Sequence, residues 1–295
     1  DIEGRNAHHH RRTRERRQHR PGIGTWQQGH GPAARQGPSR RLRFLQESDV
    51  ATSPGAAGGM LPRDLSAHWY NAEAFVSGES WQTFDPSRTA LVLVDLINWQ
   101  VDPSGPSIAA IRAAGHPERA DHLLERFADT IGPNLERLLP AARPAGVRVV
   151  HARLASRHPD YADIVPALRP YVKAAGARDG SLAAMPIAEV GDEPGDLSVV
   201  KSGSGAFGGT ELDFLLRREG IDTILYAGVV TTACVLLSVA AGFDLGYRQY
   251  LVADCTGTLS ARDQEDAERL IGNYLAEIVT AADAVAAMEQ QTHAL

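Results

Sequence analysis

Cysteine is almost missing: Cys234 and Cys255 are the only two in 295 residues. That is too few for a disulfide framework, so a reducing cytoplasm is the expected compartment and either thiol is free for chemistry. No apolar run approaches the roughly 18 to 20 residues of a membrane span, and no membrane partner is expected. Cations are in the minority, with 30 Lys and Arg against 36 Asp and Glu for a net charge of −6. Residues 1–59 hold 11 of the Arg against 5 acids, a surplus of +6 that leaves −12 for the remainder. An acidic body argues against nucleic acid as its partner. With 43 % hydrophobic residues the chain can close a real core, which excludes fibrous, collagen-like and mini-protein classes.

Residues 1–59 are rich in Arg, Gly, Pro, Gln and His and show no apolar period, a composition that predicts disorder. Asp1-Ile2-Glu3-Gly4-Arg5 resembles a protease-cleavage linker, and His8-His9-His10 reads as a tag remnant or upstream sequence. Met60 is taken as the start of the folded domain, 60–295, behind a basic arm at 1–59.

Beyond Met60, short β-branched runs alternate with amphipathic stretches. Strands are predicted over 89–95, 146–153, 197–201, 221–228, 247–254 and 276–280. Helices are predicted over 120–145 (broken near Gly132-Pro133), 210–219, 233–245 and 261–274, with long loops at 102–120 and 154–196. Near-continuous apolar strands separated by helices imply a parallel sheet covered on both faces. The expected fold is therefore α/β: a three-layer αβα sandwich with a mainly parallel, Rossmann-like sheet of about six strands. Gly220 and Gly246, each just before a strand, read as helix stops.

Ligands of such sheets bind beyond the carboxyl ends of the strands. Gly203-Ser204-Gly205-Ala206-Phe207-Gly208 fits the dinucleotide fingerprint. The strand that follows nevertheless ends Ala227-Gly228-Val229, without the acid that holds a ribose. It is read as a loop whose glycines let backbone approach a site or a partner subunit.

Three reactive side chains end strands. Cys234 opens the helix predicted at 233–245, where the helix dipole would lower a thiol pKa. Asp95 ends the most apolar strand, where a carboxylate needs a partner, and Lys201 ends another. Converging, they would supply a nucleophile, a base and a charge stabiliser. His151 and His158 also lie near a strand end, so a Cys-His pair stays open. Cys255 is read as a small buried hydrophobe.

These residues resemble the isochorismatase-like cysteine hydrolases, the group containing nicotinamidases, N-carbamoylsarcosine amidase and ureidoacrylate amidohydrolases. Asp95 with Asn98 is similar to the family's D-x-x-N. Lys201, Ala206-Phe207 and Thr210-Glu211-Leu212 resemble its K-x-x-x-x-A-F-x-x-T-x-L stretch. Gly228-Val229-Val230-Thr231-Thr232-Ala233-Cys234-Val235 resembles its G-V-x-T-x-x-C-V.

The resemblance implies an amide hydrolase with Asp95, Lys201 and Cys234 as its triad. It also implies a cis peptide between Val229 and Val230, and an oxyanion site from the N–H groups of Val230 and Cys234. The implied substrate is a small amide, ureide or carbamoyl compound, and the implied assembly a homo-oligomer, dimer or tetramer. Asn98, Trp99, Phe207 and Arg153 are the candidate pocket residues, with Arg157 as a second candidate for pairing a substrate carboxylate. Where nicotinamidases carry D-x-H metal ligands, this chain has Ser156-Arg157-His158, so neither a metal nor another cofactor is expected. An isochorismatase-type vinyl-ether hydrolase that spares the thiol, and a non-catalytic member of the fold, are the rival readings.

Overall fold

The computed structural model describes residues 84–292, and the expected arm and its boundary at Met60 lie outside the described residues. In chain order the strands are β1 Thr89–Val94, β2 Arg148–Leu154, β3 Leu197–Lys201, β4 Thr223–Val229, β5 Arg248–Gly257 and β6 Glu277–Val279. The helices are α1 Asn98–Val101, α2 Pro106–Ala113, α3 Pro117–Arg126, α4 Gly132–Ala142, α5 Arg169–Ala174, α6 Leu212–Arg218, α7 Leu236–Asp244, α8 Ala261–Gly272 and α9 Ala281–Thr292.

The six strands form one sheet in the order β3-β2-β1-β4-β5-β6, and every pairing is parallel. All six residues of β1 are buried, because the strand is central and helices cover both its faces. Its alternation divides the core in two. Leu91 and Leu93 pack with Leu123 of α3, Leu135 and Leu138 of α4 and Met288 of α9. Ala90, Val92 and Val94 pack with Leu216 of α6, Val239 of α7 and Ile271 of α8. These three layers are the predicted sandwich. Among the described residues no helix is long and apolar enough to cross a membrane.

Three sequence expectations change. The helix predicted over 120–145 does not break at Gly132-Pro133: α3 runs through a π-helical turn, Phe127–Ile131, directly into α4. Pro133 follows directly on that π-helical turn, whose altered bonding register accommodates the N–H that proline lacks. The loops at 102–120 and 154–196 contain α2 and α5. The closing helix α9 follows β6. The stops at Gly220 and Gly246 stand, with φ of 74° and 83°.

Candidate active site

The central strand delivers its acid to the carboxyl edge of the sheet. Asp95 adopts φ 54°, a left-handed conformation uncommon for a residue with a side chain. Its N–H donates to the Ala152 carbonyl at 2.9 Å, and the Leu154 N–H donates to its Oδ1 at 2.8 Å, so the end of β2 fixes the carboxylate from two sides. Lys201 Nζ lies 2.7 Å from Asp95 Oδ2, with both side chains at 0 % exposure. The ammonium also donates to the carbonyls of Gly203 at 3.1 Å and Ser204 at 2.9 Å. The glycine-rich loop thus turns carbonyl oxygens toward a cation, the opposite polarity to a pyrophosphate cradle.

Gly228 sets the approach of β4 to β1. Its φ is +122°, and a Cβ there would lie 2.0 Å from the Val94 carbonyl oxygen. Only glycine permits this spacing, which carries the next turn over the end of β1. The Val229–Val230 peptide is cis. Cys234 sits in a π-helical turn, Thr231–Val235, in which the Val235 N–H reaches the Val230 carbonyl at 3.3 Å. Its sulfur lies close enough to Asp95, Lys201 and the Val230 N–H for each to act on its charge. One turn on, Ser238 Oγ donates to the Cys234 carbonyl at 2.6 Å and accepts from the Ala206 N–H at 2.9 Å. Ser238 therefore ties the thiol turn to the loop that holds Lys201.

The electrostatics correct one expectation. Cys234 was expected to carry a lowered pKa, yet burial pushes the thiol up to about 12, and the Asp95 charge acts in the same direction. Lys201 and the Val230 N–H oppose this and are outweighed. A dipole argument assumes some exposure, and this sulfur is buried. The resting group is a thiol beside a carboxylate. Burial disfavours the Lys201 ammonium, but Asp95 and the Cys234 sulfur outweigh it and raise its pKa above the usual lysine value.

The remaining candidates separate. Trp99 walls a cavity of about 380 Å³ that opens above Cys234, with its indole N–H fixed on the Leu154 carbonyl at 3.0 Å. Asn98, Phe207 and Arg153 do not line that cavity. Asn98 Nδ2 donates to the carbonyls of Leu182 and Met185, anchoring the 182–186 segment. Phe207 is buried and stacks on Tyr247 with centroids 5.8 Å apart. Arg153 is spent on Ser198 Oγ, the Ala184 carbonyl and Asp179. Arg157 faces Glu211.

His151 is buried, with Nε2 3.2 Å from Asp196 Oδ2, and belongs to an ion cluster with Arg143 rather than to the thiol. Ser156 Oγ bonds Asp163 and the His158 carbonyl. Cys255 lies in the core against α3 and α4. The residues the sequence reading missed are Leu154, whose N–H holds Asp95, and Ser238, whose spacing of four from Cys234 was the available signal.

Residues 89–283, about two thirds of the chain, match the Isochorismatase domain family. The uncharacterized isochorismatase family protein YwoC of Bacillus subtilis is 41 % identical over 85 residues, covering 29 % of this chain and 45 % of that protein, so the match spans under half of that relative. Maleamate amidohydrolase of Pseudomonas putida is 26 % identical over 206 residues, 70 % of this chain and 88 % of that one. Among solved structures, a cysteine hydrolase from Pseudomonas syringae superposes with a TM-score of 0.59 at 25 % identity, covering 70 % of this chain and 95 % of its own. The chain belongs to the isochorismatase family of hydrolases.

Proposed function

We propose that this protein is a cysteine amidohydrolase that cleaves the C–N bond of a small amide, ureide or carbamoyl compound through a thioester. The observation that carries the reading is the fully buried Lys201–Asp95 pair with the Cys234 thiol against the carboxylate, on the floor of a cavity. The amidohydrolase named among the relatives supports it.

Asp95 takes the thiol proton as Sγ attacks the carbonyl carbon, so charge separation is confined to the transition state. The N–H groups of Val230 and Cys234 receive the developing oxyanion, each such donor contributing about 2.7 to 4 kcal/mol. The tetrahedral adduct collapses with rupture of the C–N bond, and the amine or ammonia leaves with the proton from Asp95. Water gives a proton to the same carboxylate, attacks the thioester and displaces sulfur, which is reprotonated. Lys201 holds Asp95 in place and balances its charge throughout.

Cys234→Ala is expected to lower ammonia release roughly ten-thousand-fold with an unchanged melting curve. Ammonia release by Cys234→Ala equal to the parent's would overturn the reading. The proposal includes a homo-oligomer, dimer or tetramer, in keeping with exposed Leu237 on α7 and Phe214 on α6, and light scattering is its check.

A further inference from the structure

The walls of the cavity above Cys234 say more about the substrate than the reacting groups do. Trp99 from α1, Ile111 from α2, Leu154 closing β2, Leu168, Tyr171 from α5 and Leu259 surround it. The polar side chains among its described lining residues are Gln100, Ser107 and Ser204 besides Tyr171 and the nucleophile, and none is an Arg, Lys, His, Asp or Glu. The arginines nearest in sequence to these walls are engaged elsewhere. Arg112 is bound to Asp121, Arg153 to Ser198 and Asp179, Arg157 to Glu211, and Arg169 to the carbonyls of Ala162 and Ile164. Below the floor, the Lys201 ammonium is matched by the Asp95 carboxylate and leaves no surplus positive charge.

We infer, on the basis of the amidohydrolase reading, that the substrate is an uncharged carboxamide or ureide whose acyl part is apolar, aryl or branched alkyl. A carboxylate entering this cavity would shed its water with no cation among the described lining residues to receive it, which is costly. An apolar group instead gains burial against Trp99, Leu154 and Leu168. About 380 Å³ admits on the order of a dozen water-sized groups, which leaves room for an acyl part well beyond acetyl. Gln100, Ser107 and Ser204 supply hydrogen bonds for an amide or ureide and no charge.

The test compares matched neutral and carboxylated amides on the purified full chain: isovaleramide against maleamate, and benzamide against para-carboxybenzamide, with Cys234→Ala as control. Each neutral member is expected to have a kcat/KM roughly a hundredfold or more above its carboxylated counterpart, with all turnover lost in Cys234→Ala. Carboxylated members hydrolysed as fast as or faster than the neutral ones, by the wild type and not by Cys234→Ala, would overturn this inference and leave the cysteine mechanism standing. Turnover that persists in Cys234→Ala, or no turnover of any of the four by the wild type, would overturn the mechanism and the inference together.

Discussion

Lys201 Nζ meets Asp95 Oδ2 at 2.7 Å although their strands are not neighbours, since β2 lies between β3 and β1. The lysine passes over the end of β2, whose Leu154 N–H holds the other carboxylate oxygen. A pair with both members at 0 % exposure does not tolerate loss of one member. Lys201→Met is expected to cost about 3 to 5 kcal/mol in urea unfolding, by stranding a buried carboxylate. The double variant Asp95→Asn with Lys201→Met should recover most of that stability and none of the activity.

The Asp95 charge holds the thiol proton in place, so removing it should free the sulfur. In Asp95→Asn, Lys201 still favours thiolate while the opposing carboxylate is gone. Iodoacetamide should therefore label Cys234 faster in this variant than in the wild type at mildly alkaline pH, at a temperature where circular dichroism shows both folded, while hydrolysis falls roughly 10²- to 10⁴-fold. Slower labelling would show that Asp95 does not hold the proton.

Stability should carry the same signature on the alkaline side. The thiol is raised from 9.0 to about 12 on folding, so the native state keeps its proton where the unfolded chain gives it up. The contribution is present in full below pH 9 and is lost as the pH climbs toward 12. Cys234→Ser is expected to show a flatter decline over that window in denaturant titrations.

On the acid side the sensitive group is His151. Burial lowers its pKa from 6.5, in spite of Asp196 beside it. Stability is whole above pH 6.5 and falls as the pH drops toward the depressed native value, because the unfolded chain binds the proton first. His151→Gln should remove this slope between pH 6.5 and 5 without altering kcat, since the ring lies away from the thiol.

Gly228→Ala tests the approach of β4 to β1. A methyl 2.0 Å from the Val94 carbonyl at φ +122° combines overpacking with backbone strain, about 3 kcal/mol or more together. Loss of folded yield or a large drop in melting temperature is expected, whereas Gly208→Ala, with open space around it, should be nearly silent.

The sheet and the converging trio were legible because buried parallel strands announce themselves as apolar runs and their last residues face the ligand side. The walls of the site were not. Asn98 and Arg153 have the chemistry of substrate contacts, but partners of both lie in the 179–185 segment, which carries no period from which to infer proximity. Phe207 and Tyr247 meet only once the chain has folded. The sign of the thiol shift was lost for a different reason. Sequence shows the helix start behind Cys234 but not the depth of its burial, and depth decided the outcome. The closing helix α9, alanine-rich and without a strong apolar stripe, gave a weak signal that only the seat provided by α4 and β5 completes.

Because the ammonium from one edge strand has to reach across a second to neutralise an acid on a third, nothing reactive exists until all three have docked in order. A nascent or partly unfolded chain carries an ordinary thiol with no base or oxyanion site beside it, and hydrolytic competence itself becomes a readout of finished assembly.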